Sequence, residues 1–207
     1  MTDAIETFAT PAREETLQGV AERLRERNIE AVIVDDGAAA RAVVLERVPK
    51  GAEVYSAKSK TLQDAGILDA IQAPGEYDAL RPRYMKMDRK TQMREIRKLI
   101  AAPDYMLGSV QALTEDGRLV VASATANQIG PYANTAGKVI LVVGAQKIVP
   151  DLDTALRRIR EYVLPWEDEQ VRKVLASGSF VAKILIIERE AIAGRMAVVL
   201  VRQPIGI

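Results

Sequence analysis

Residues 137–144 read GKVILVVG. Between the glycines, Val139 to Val143 form an unbroken apolar run dominated by β-branched side chains, the composition of a strand. A strand with one wet face alternates apolar and polar residues. A run with no polar residue needs cover on both faces, as in a parallel sheet packed between helices. Moving outward, short runs of the same kind recur as EAVIVDD (30–36), AEVYSA (52–57), PDYMLGS (103–109) and GRLVVASA (117–124). The chain closes with AKILIIERE (182–190) and RMAVVLVRQ (195–203), joined through Gly194, and the simplest reading is an antiparallel hairpin.

Helical patterns separate these runs. Leu17, Val20 and Leu24 recur at helical spacing between Pro11 and Asn28, and GAAARAVVLERV follows the first strand. SKTLQDAGI opens a helix in which Thr61 and Asp64 are spaced as a capping pair. LDAIQA reads as a brief strand and PGEYDALRP as loop. Tyr84 to Ile100 reads as one long helix with Met93, Ile96 and Ile100 on one side. Leu152, Leu156, Ile159 and Val163 form an apolar stripe on a helix expected to stop at Pro165, with a short helix over 167–176 beyond it. The expected fold is therefore α/β: a mostly parallel sheet covered by helices on both faces, with a C-terminal antiparallel hairpin. One domain spans 1–207, with 1–11 as a flexible N-terminal extension.

The composition narrows the chemistry. A chain of 207 residues, 48% apolar and 28% charged, can bury a substantial core. A formal net charge of +1 creates no global field to recruit nucleic acid or a membrane surface. The start, MTDAIETFATPAREE, is too polar and acidic for a secretory signal or a transit peptide, so a cytoplasmic location is expected. With no cysteine and no histidine, the chain cannot supply a thiolate nucleophile, a cysteine-held cluster or an imidazole base. No carboxylate grouping suggests a metal. Chemistry would fall to Asp, Glu, Lys, Arg, Tyr, Ser or Thr.

Ligands in open α/β sheets bind at the carboxyl ends of the strands, and three loops fit that position. SAKSKT (56–61) offers Lys58, Ser59 and Thr61 as a cradle for a phosphate or carboxylate, though a plain polar loop with Thr61 as helix cap reads equally well. SATANQIGP (123–131) places Asn127 and Gln128 before a short helix opened by Pro131. GSVQALTEDG (108–117) offers Gly108 and Ser109 for close backbone approach. In the same loop Asp116-Gly117 reads as a turn, and Glu115 as a candidate catalytic acid, base or nucleophile. The cationic run 81–98 reads as a solvated helix face; nucleic-acid binding would require its charges to line one exposed side. Trp166 reads as a packing residue after a helix end.

Four segments carry a resemblance: SKTLQDAGI, APDYMLGSVQALTEDGRLVVAS, VILVVGAQKIV and ALRRIREYVLPWED. Together they resemble the LUD domain family, the lactate-utilization protein C group, from about Ala12 to the C-terminus. The resemblance implies a fold related to ribose-5-phosphate isomerase, glucosamine-6-phosphate deaminase and coenzyme A transferases. It also implies a role in organic-acid utilization; with the three loops read above, this makes a small anionic metabolite the expected ligand of Lys58, Ser59, Thr61, Gly108, Ser109, Asn127 and Gln128. Thr125 to Gln128 depart from the family's commoner Ser-Gly-Ser-Gln pattern. Coenzyme A transferases use a glutamate as covalent nucleophile, and TEDG puts Glu115 in that place. The competing reading is a non-catalytic accessory subunit beside iron–sulfur partner proteins, which would have to carry the clusters themselves. The resemblance identifies no cofactor. Apolar strands in both chain halves allow a homodimer.

Overall fold

The computed structural model of the chain describes residues 7–174 and 177–207. Its centre is a six-stranded, wholly parallel sheet built from β1 (Glu30–Val34), β2 (Glu53–Ser56), β3 (Asp78–Ala79), β4 (Tyr105–Gly108), β7 (Lys138–Gly144) and β10 (Met196–Val201). Their order is β1-β10-β7-β4-β2-β3. A second sheet runs β8-β5-β6-β9, from β5 (Ala112–Thr114), β6 (Leu119–Ser123), β8 (Ile148–Val149) and β9 (Lys183–Ile187). In it β6 pairs antiparallel with both β5 and β9, while β5 and β8 are parallel.

Alternate residues of the central strands feed two cores. Val139, Leu141 and Val143 of β7 and Met196, Val198 and Leu200 of β10 face α1 (Glu14–Glu26) and the second sheet. Ile140, Val142, Val199 and Val201 face α2 (Gly37–Arg47), α3 (Lys60–Asp64) and α4 (Ile67–Gln72). Cover on both sides explains why β7 has no polar residue after Lys138. The second sheet presents Leu113, Leu119 and Val121 to the first of these cores. Its other face, with Ala112 and Val120, packs on α7 (Leu152–Arg158).

The two C-terminal strands are not a hairpin. β9 pairs antiparallel with β6 at an edge of the second sheet, whereas β10 lies between β1 and β7 in the first. The burial patterns give the reason: β9 is largely half-buried, but every residue of β10 is buried. Such a strand needs neighbours on all sides. The loop that joins them carries a buried ion pair, Arg195 Nη1 to Glu190 Oε2 at 2.6 Å. Arg195 also donates to the carbonyls of Pro131, Tyr132 and Ala136, so it pins the π-helical turn Pro131–Thr135.

Other expectations change locally. LDAIQA is part of helix α4, because Ile67 and Ile71, four residues apart, are both buried. PGEYDALRP contains β3 and opens α5 (Leu80–Met85). The long helix expected from Tyr84 is split into α5 and α6 (Met93–Ala101). Between them Asp88 accepts hydrogen bonds from the Lys90 N–H and the Thr91 hydroxyl, an alternative to helical pairing. The cations of 81–98 therefore share no continuous helix face. Pro165 does not end a helix either. A π-helical turn, Ile159–Val163, carries α7 into α8 (Leu164–Arg172) with Pro165 in its first turn. The wider turn spares Pro165 the clash it would meet inside a regular helix. Residues 175 and 176 of the expected short helix lie outside the described residues, as do 1–6 of the N-terminal extension. Phe8 is buried against Tyr162.

Removing one partner of a buried ion pair strands the other charge, at a cost of about 3–5 kcal/mol. Arg195→Met is expected to lower stability by roughly that amount, read as the midpoint of urea unfolding. The double variant Arg195→Met/Glu190→Gln should recover part of the loss.

Candidate functional site

The chain order of the strands creates a switch point. From β2 the chain leaves toward the β3 edge, and from β4 it leaves in the opposite sense toward β7. Loops after β2 and β4 therefore diverge, and ligands of open α/β sheets bind in the crevice such loops leave. A cavity of about 830 Å³ lies there. The strand ends of both sheets form its floor, and the stretch from Ile159 to Val174, helical as far as Arg172, forms its far wall.

At the floor is Lys147, in the tight turn Ala145–Lys147 that follows β7. Only 3% of the residue is exposed. Its Nζ donates to Thr61 Oγ1 at 2.8 Å, Ser109 Oγ at 3.0 Å and the Val110 carbonyl at 3.2 Å. The acceptors come from two element ends: Thr61 from α3, and Ser109 and Val110 from the two residues after β4. Among the described residues no carboxylate lies within ion-pair distance of Lys147. Burial therefore dominates and pulls the amine down to about 7, helped by the positive field of Arg158. Arg158 is itself fully buried, donates to the carbonyls of Gln111 and Phe8, and stacks over Tyr162. Burial lowers its pKa to about 10.

Tyr132 closes the floor from the other side. Its hydroxyl accepts from the Ser109 N–H and donates to the Ser109 carbonyl, both at 3.2 Å. Burial raises its pKa, so it stays a neutral phenol. The ring lies so close to the backbone of β4 that a Cβ at Gly108 would fall 1.5 Å from the hydroxyl. That contact, rather than an unusual φ, requires glycine at 108. The small-polar loop after β6 is tied internally. Ser123 Oγ accepts from the Ala126 N–H at 2.9 Å and donates to Gln128 Oε1 at 3.1 Å, and Ala126 adopts a left-handed φ of 61°.

All the proposed binding residues line this cavity: Lys58, Ser59 and Thr61; Gly108 and Ser109; Asn127 and Gln128. Their local roles differ from expectation. Ser59, not Thr61, caps α3, accepting from the Leu62 N–H at 3.3 Å. Thr61 is the hydroxyl that holds Lys147. Lys58 reaches across the mouth to Glu167 at 3.7 Å.

Glu115 does not line the cavity. It is exposed in the β5–β6 turn, where its N–H donates to the Val149 carbonyl, and β6 separates that turn from Ser123. Neighbouring Asp116 bonds Thr114 and pairs with Arg118 at 2.8 Å, a structural use of the turn. The catalytic reading of Glu115 thus has no place in this site. Among the described residues no group of three or more Asp or Glu is arranged to hold a metal, and no helix is long and apolar enough to cross a membrane.

Sequence reading missed Lys147, Tyr132 and the far wall. Lys147 had a signal: a lysine lodged in the apolar run of β7 and β8, where a solvated charge has no room. Tyr132 directly follows the SATANQIGP loop, but nothing in the sequence shows that its ring turns back onto β4; the wall, distant in sequence from the floor, carried no signal. Trp166, expected to pack after a helix end, instead faces the cavity.

In comparison with known proteins, the LUD domain profile matches residues 17–201. No curated protein sequence matches the chain. Among solved structures, a DUF162 family protein from Deinococcus radiodurans has the same fold at 11% identity and a TM-score of 0.58. The match covers 93% of this chain and 100% of that one. A domain profile that spans nearly the whole chain decides the matter: this protein belongs to the LUD domain family.

Proposed function

We propose that the cavity binds the carboxylate of a small organic acid and that Lys147 is its counter-ion. The observation that carries this reading is a buried lysine in a cavity wall with hydroxyl and carbonyl partners but no anionic one. Burying an ammonium without a counter-charge is costly, so the amine holds its proton far less firmly than an exposed lysine until an anion arrives. Thr61 and Ser109, which hold the Nζ, would orient the acid, and the Lys58–Glu167 pair stands at the entrance. The family's general association with lactate utilization makes 2-hydroxy and 2-oxo acids the first ligands to try.

The electrostatics give the reading a pH signature. An anion beside Lys147 favours the ammonium, so binding above the free amine's pKa of about 7 takes up a proton. Calorimetric titration with lactate and pyruvate should show affinity roughly constant below that pH and falling as the pH rises toward 9. Lys147→Met should abolish binding at every pH. Retained affinity in that variant, or affinity that does not change with pH, would overturn the assignment.

The same group shapes stability. Between about 7 and the ordinary lysine value of 10.5, the unfolded chain holds the proton and the folded chain does not. Stability contributed by this site therefore rises with pH across that window, and the burial cost is fully felt below it. Relative to Lys147→Met, the wild type should gain stability steadily from pH 7 to pH 10 in urea unfolding. Parallel curves for the two proteins would show that the amine keeps its proton on folding.

A further inference from the structure

The cavity is much larger than the acids just named. Its 830 Å³ falls in the range that encloses drug-sized ligands, whereas a three-carbon acid fills the space of a few waters, on the order of 100 Å³. Its two sides also differ in chemistry. The floor is hydroxyl, amide and amine. The far wall carries an apolar stripe, Ile159, Val163, Leu164, Trp166 and Val171, with the polar Glu167, Gln170 and Lys173 beside it.

That wall is not simply the back of the core. α8 buries none of its residues, and Leu164, Trp166 and Val171 remain half-exposed on the cavity side. At the mouth the apolar surface continues into Val174, 81% exposed, and Phe180, 60% exposed. Large apolar side chains left at this exposure beside a polar floor match a ligand that is itself two-sided.

Resting on the reading of Lys147 as counter-ion, we propose that the ligand is an acid with an apolar tail. Its carboxylate sits at Lys147, and its tail runs along Val163, Leu164, Trp166 and Val171 toward Phe180. Lactate and pyruvate would then be minimal ligands that fill only the floor.

Trp166 is the single tryptophan of the chain, so its fluorescence reports on this wall directly. Straight-chain 2-oxo acids of three to eight carbons would be titrated, following Trp166 emission and, in parallel, heat. Affinity should rise with chain length by about tenfold or more across the series, since roughly two buried methylenes give a factor of ten. The emission change should be large for the eight-carbon acid and small for pyruvate. Trp166→Ala and, as a milder change on the half-exposed helix, Val171→Asn should each weaken the eight-carbon acid more than pyruvate and so flatten the series. Lys147→Met should weaken every member. A series flat in the wild type, or a length dependence that survives both wall variants, overturns the tail assignment and leaves the carboxylate site standing. Failure of every acid, pyruvate included, overturns the carboxylate site and the tail with it.

Discussion

Burial of β7 and β10 on both faces is the constraint from which the rest of this architecture follows. A strand with no wet side cannot host polar side chains along its length, so hydroxyls, amines and amides collect where the strands stop. At those stops the carboxyl ends of β2, β4 and β7 deliver Ser59, Thr61, Ser109 and Lys147 to one place. The second sheet completes the enclosure. It packs one face on the central core and the other on α7, which brings the end of β6 and the start of the far wall to the same crevice. The site is thus a by-product of how the core is filled.

The strands were readable for this reason. An unbroken β-branched run, as in β1, β7 and β10, has few alternatives to a covered strand, and β2 and β4 were visible as shorter, mainly apolar runs. What failed were features set by partners distant in sequence or by side chains bonding their own local backbone. RMAVVLVRQ was legible as a strand, but its place between β1 and β7 depends on residues 50 and more positions away. The break between α5 and α6 depends on Asp88 bonding its own neighbours, which competes with helix pairing at a level periodicity does not register.

The candidate site was legible where chemistry sits in loops and invisible where it sits in packed segments. Ser59, Ser109 and Gln128 stand in stretches whose polarity marks them. Lys147 stands between apolar strands, a hint on its own, and its role emerges only when Thr61 from the first turn of α3 and Ser109 from the loop after β4 close around it. Glu115 misled for the opposite reason. A carboxylate beside Asp-Gly stands out in a sequence, yet turns of that kind recur because they make good turns. Strand polarity settles the point, since the turn before β6 and the loop after it lie at opposite ends of the strand.

The π-helical turn at Ile159–Val163 lets one continuous rod answer to two surfaces. Each extra residue in a helix rotates everything beyond it by about 100° relative to a regular course. Before the turn, Leu152 and Ala155 serve the packing of the second sheet; after it, Leu164 and Val171 serve the cavity. The two halves are consequently free to diverge: substitutions along α8 can retune what the crevice accepts while the packing beneath α7 stays as it is. Losing a single residue from the wide turn would be a different kind of change. Were it Arg160, Glu161 or Tyr162, none of which lines the cavity, the loss would swing the whole outer wall around its axis and turn a pocket lining into a solvent face without altering any side chain that lines it.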